Sequence, residues 1–94
     1  MNIPRFHLAF PVIDLESTRK FYTEVLGCTL GRESNKWIDF NLFGHQIVAH
    51  FSPDECIRTN TNKVDGDMVP SRHFGVILSW DRWKALCKKI KKQK

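Results

Sequence analysis

The chain has 94 residues, 41% of them hydrophobic and 27% charged, with no low-complexity run. That length and balance describe one domain, or a domain and a fragment, and exclude a disordered ground state. The net charge of +5 is uneven: residues 81–94 carry seven cations against Asp81, a net of +6, so the other 80 sum to about −1.

The basic tail holds no aromatic residue among its lysines, which argues against single-strand nucleic-acid binding and for a solvated helix end. No stretch approaches the roughly 18 apolar residues of a membrane helix. The opening MNIPRFHLAF has no secretory apolar segment. Cys28, Cys56 and Cys87 are odd in number and form no C-x-x-C pair, which points to reduced, buried thiols rather than a disulfide framework. A soluble, cytoplasmic protein is the expectation.

In chain order, residues 6–12 (FHLAFPV) predict a strand, with His7, Ala9 and Pro11 on one face and Leu8, Phe10 and Val12 on the other. Asp14 is a good N-cap, Glu16 suits the first helical turn, and Leu15, Thr18, Tyr22, Val25 and Leu26 form a stripe. Gly27 is a left-handed stop, so a helix is predicted over 15–26. Residues 29–32 predict a short strand and Ser34–Lys36 a turn. Residues 37–43 (WIDFNLF) alternate, Trp37, Asp39 and Asn41 opposite Ile38, Phe40 and Leu42. After a tight connection at Gly44–His45, residues 46–51 predict the second arm of a hairpin, with Gln46, Val48 and His50 sharing a face.

Residues 52–72 are polar and rich in turn formers, and predict a long loop serving as lid or connector. Residues 73–78 (HFGVIL) predict a strand. Ser79 caps a helix over 80–91 whose stripe is Trp80, Trp83, Leu86, Cys87 and Ile90. Trp37, Trp80 and Trp83 read as core or interface.

The informative feature is a repeat. Two strands open with histidine, place a small residue (Ala9, Gly75) two positions on, and lead into a helix; His7 and His73 are 66 residues apart. No nucleophile elbow, P-loop or dinucleotide fingerprint is present.

The stretch HLAFPVIDLESTRKFYTEVLGCTLGR resembles the opening of vicinal oxygen chelate proteins, the superfamily of glyoxalases, bleomycin resistance proteins and extradiol dioxygenases. The match runs through Val12, Asp14, Leu15, Thr18, Phe21, Tyr22, Val25, Leu26 and Gly27. WIDFNLFGHQIVAHF and HFGVILSWDRWKAL extend the likeness over essentially the whole chain.

The resemblance implies an α+β fold: one βαβββ module over 1–51, a connecting loop over 52–72, and over 73–94 the first strand and helix of a second module. It implies a cup holding a divalent metal (Fe, Ni, Zn or Mn), with His7, His50 and His73 as ligands. Asp39 and Asn41 would touch substrate. The glutamate that relatives carry on their last strand has no counterpart, so the resemblance implies a C-terminally truncated member. The orphan strand and helix would then find a partner across a two-fold, making a homodimer.

Three functions stay open. The first is a metal-dependent lyase or dioxygenase acting on a small oxygen-bearing substrate. The second is a metal-free module sequestering a small molecule, as antibiotic-binding members do. The third is an inactive remnant.

Overall fold

Alternation along the central strands decides the architecture of the computed structural model, which describes residues 3–57, 61–70 and 72–93. Strands β1 (His7–Val12), β2 (Thr29–Glu33), β3 (Trp37–Leu42) and β4 (His45–Phe51) form one sheet in the order β1-β4-β3-β2. β1 runs parallel to β4, with His7 opposite Gln46 and Pro11 opposite His50. β3 pairs antiparallel with both β4 and β2. This is the expected βαβββ module.

One face of the sheet is apolar. Ile38, Phe40, Leu42, Ile47 and Ala49 are buried there with Cys28, and Leu8, Phe10, Val12, Leu15, Tyr22 and Leu26 pack around them. Ile38, Phe40 and Ile47 are the largest fully buried side chains. The other face carries His7, Trp37, Asp39, Asn41, Gln46, Val48 and His50.

Helix α1 (Leu15–Lys20) covers the apolar face. Asp14 Oδ2 accepts from Ser17 N at 2.8 Å, and this hydrogen bonding holds the Asp14 carboxyl below its ordinary value. Arg19 bonds Glu16 and Glu33, the latter at 2.6 Å, linking the helix to the end of β2. These partly exposed pairs are screened by solvent and contribute little to stability.

The predicted helix is not α-helical to its end. From Phe21 to Val25 it widens into a π turn, with Leu26 N donating to Phe21 O at 3.2 Å. Gly27 (φ 75°) makes the left-handed exit, and Cys28 N donates to Tyr22 O at 2.9 Å. Tyr22 stacks on Phe40 (centroids 5.1 Å apart) and meets Phe10 (5.6 Å), while Val25 and Cys28 stay buried. Core packing of these side chains accompanies the wider turn, a tertiary effect that the 3.6-residue stripe does not register.

The β3–β4 connection is Phe43-Gly44, both with positive φ (50° and 91°), as a two-residue hairpin of matching twist requires. Gly44 N donates to Asn41 Oδ1 at 2.8 Å. β4 therefore begins at His45, a residue earlier than predicted.

Two segments differ from expectation. The predicted loop holds a short 3-10 turn (Pro53–Cys56) and a separate hairpin of β5 (Thr61–Val64) and β6 (Asp67–Pro70). The turn is Asp65-Gly66 with φ of 49° and 89°, a standard hairpin signal, but TNKV and DMVP lack the alternation that marks strands. Residues 73–78 form no strand; they run without ladder partners among the described residues. Their apolar run suits a strand, yet a strand exists only by pairing. Phe74 reaches Phe10 (5.2 Å), and Ile77 is fully exposed.

Helix α2 (Trp80–Lys91) starts at Ser79 Oγ, which accepts from Arg82 N at 3.4 Å. Its apolar stripe is present but only partly covered: Trp80 is 65% exposed and Trp83 49%, their rings stacked 5.2 Å apart. Arg82 lies over the Phe43 ring at 4.9 Å.

Phe40→Ala removes the largest core side chain and should cost about 3–5 kcal/mol, read as a large fall in the urea midpoint or outright unfolding. For Asp14→Ala the expectation concerns pH. Because the native Asp14 value is depressed, its stabilisation is present above the ordinary carboxylate value and lost as pH falls through the native one. The gap in urea midpoint between wild type and Asp14→Ala should therefore close in acid.

Candidate functional site

The face of the sheet turned away from α1 has an unusual composition for an open surface. Asp39 is 7% exposed there, in the middle of β3 opposite Val48. Its Oδ2 lies 3.4 Å from Gln46 Nε2 and 3.8 Å from Arg32 Nε. Arg32 itself is exposed and leans over the Trp37 ring at 5.8 Å. Gly31 backs the carboxylate: a Cβ at that position would meet Asp39 Cβ at 3.0 Å.

Gln46 continues the chain of contacts, with Oε1 3.0 Å from His7 Nδ1. The parallel register of β1 on β4 sets these two side chains opposite each other. A hollow of about 440 Å³ opens beside them, lined among others by Arg5, His7, Thr29, Asp39, Asn41 and Gln46. Its rim includes His45, whose Nδ1 accepts from Phe6 N at 3.1 Å and whose ring stacks on Phe6 at 4.3 Å.

His7, Asp39 and Asn41 thus meet at one hollow. His50 sits on the same sheet face but four residues beyond Gln46 on β4, roughly 13 Å along the strand at the usual rise. His73 lies elsewhere. Its Nδ1 is 2.6 Å from Pro70 O, and it borders a different, larger cavity of about 1060 Å³ walled by Leu8, Phe10, Tyr22 and Leu86. Among the described residues no group of three or more His, Cys, Asp or Glu side chains could hold a metal ion. Within this chain the three imidazoles do not converge.

Sequence reasoning missed Gln46 and Gly31. Alternation puts Gln46 on the face of His50, but its pairing with His7 depends on the β1–β4 register, which joins strands distant in the chain. Gly31 signals only through its contact with Asp39.

Three thiols are free: Cys28 is buried, and Cys56 and Cys87 are half-buried. Burial pushes the Cys28 thiol above its ordinary value. With thiolate the reactive form, Cys28 should react more slowly with iodoacetamide than Cys56 and Cys87, a difference that peptide mapping of partly alkylated protein would resolve.

A βαβββ sheet with its helix on one side and a polar hollow on the other defines an α+β module. The family model for the Glyoxalase/Bleomycin resistance protein/Dioxygenase superfamily matches residues 6–94, and the chain belongs to that superfamily. A comparison with curated proteins finds no match. Among solved structures, a glyoxalase/bleomycin resistance protein/dioxygenase from Alicyclobacillus acidocaldarius is similar at 32% identity and TM-score 0.72, over 95% of this chain and 62% of that one. This chain therefore spans less than two thirds of that relative's length. The fosfomycin resistance protein FosX from Listeria monocytogenes shares the fold at 16% identity and TM-score 0.70, over 98% of this chain and 67% of its own. FosX has also been crystallised with Mn(II) and sulfate ion. No helix among the described residues is long and apolar enough to cross a membrane.

Proposed function

We propose that the open face is half of a glyoxalase-type site for a small oxygen-bearing molecule, completed by a second copy of the chain. The observation that supports it is the polar set His7, Asp39, Asn41 and Gln46 around a hollow of about 440 Å³, on the side of the sheet away from the core. That volume is in the range of small-molecule pockets. Asp39 and Asn41 are the candidate substrate contacts, with Arg5 adding positive charge at the rim.

A divalent metal fits this face incompletely. His7 offers one imidazole, but a catalytic site takes about three protein ligands, and no such set is present among the described residues of one protomer. His50 and His73 enter this reading as donors from the second copy. An Fe, Ni, Zn or Mn ion held there would supply Lewis-acid chemistry to vicinal oxygens, giving lyase or dioxygenase activity. Without it, the hollow is a binding module of the antibiotic-sequestering kind.

Residues 73–94 are then the start of a second module, reached through 52–72, and the surface they leave uncovered favours pairing. Ile77, Trp80 and Trp83 are exposed in or next to residues 73–78, which have no ladder partner among the described residues. The free thiols suit a reducing compartment such as the cytoplasm.

Light scattering combined with titration by Mn²⁺ and Ni²⁺ tests the reading. The expected result is a particle of twice the 11.0 kDa chain mass. It should bind either ion with an affinity that falls tenfold or more in His7→Ala. Smaller losses in His50→Ala and His73→Ala would identify the donors across the two-fold. A monomer that binds neither ion overturns the shared site.

A further inference from the structure

Gln46 sits between two partners of different character. Its Nε2 is 3.4 Å from Asp39 Oδ2 and its Oε1 is 3.0 Å from His7 Nδ1. A carboxylate only accepts hydrogen bonds, so the amide must turn its NH₂ toward Asp39 and its carbonyl oxygen toward His7. That oxygen is also only an acceptor. The neutral His7 ring must then carry its proton on Nδ1, which leaves a lone pair on Nε2.

We infer that Asp39 is a positioning residue which, through Gln46, holds His7 in the Nδ1–H tautomer and so presents Nε2 as a free acceptor at the hollow. This is the orientation an imidazole needs to take a proton or to ligate a metal through Nε2.

The surroundings are built for the arrangement. Asp39 is the only buried polar or charged residue among the described ones, on a face where His7, Asn41, Gln46 and His50 are exposed. Burying a carboxylate is costly unless its oxygens are paired, and here one oxygen faces both Gln46 and Arg32. Position 31 is glycine, and any Cβ would press on Asp39 at 3.0 Å. An alanine there would displace the carboxylate without removing it.

The inference rests on His7 being the ligand-facing imidazole proposed above, but its test does not. Metal-free protein labelled with ¹⁵N-histidine is studied above neutral pH by long-range ¹H–¹⁵N correlation, which distinguishes the two tautomers. His7 should be predominantly Nδ1–H in the wild type. In Gln46→Leu, an exposed substitution, that form should drop to a minor population. Asp39→Asn should also relax the ring toward a mixture, because an asparagine can donate as well as accept and no longer dictates how the amide turns. If Asp39→Asn fails to fold, Gly31→Ala should give the same relaxation. His50, four residues along β4, should not change in any variant.

A wild-type His7 carrying its proton on Nε2 overturns the inference. So does a ring unmoved by Gln46→Leu, or by Asp39→Asn and Gly31→Ala in folded protein. A locked tautomer in a protein that binds no metal would leave this inference standing while the metal-bearing site falls, and metal binding with an unlocked ring would do the reverse.

Discussion

The parallel pairing of β1 with β4 is the constraint on which the rest of the structure depends. It joins the two ends of the module across nearly forty residues of sequence, with His7 opposite Gln46 and Phe10 opposite Ala49. One register serves both faces. Shifting it by a single residue would turn Leu8, Phe10 and Val12 away from α1 and bring His7 into the core. Burial of Ile47, Ala49 and Phe40 therefore disciplines the polar side as well, because the same backbone that satisfies the core sets which side chains meet at the hollow.

Much of this was legible in residue order. Period-two alternation located β1, β3 and β4, and the Asp14 cap and Gly27 stop bounded the helix, because these signals are local and each has one dominant physical cause. What escaped was whatever depends on distant contacts. The π turn at Phe21–Val25 accompanies the packing of Tyr22 on Phe40. The β5–β6 hairpin is declared only by Asp65-Gly66, since TNKV and DMVP do not alternate between polar and apolar residues. Residues 73–78 have strand composition but no pairing strand among the described residues, and composition cannot supply one.

The site shows the same division. His7, Asp39 and Asn41 were recognisable from face and type, and the structure gathers them at one hollow. Gln46, the residue joining His7 to Asp39, needed the cross-strand register, and Gly31 needed the third dimension. His73 looks equivalent to His7 in its repeat, yet it borders another cavity, because residues 73–78 pair with no strand among the described residues whereas His7 lies in a paired one.

The bare stretch before α2 has a further consequence. Its backbone amides and carbonyls have no ladder, so they depend on solvent, next to side chains as greasy as Ile77 and Trp80. An extended edge that docked there would complete the missing ladder, next to the lysines of α2, whose charge would repel a basic partner less as salt rises.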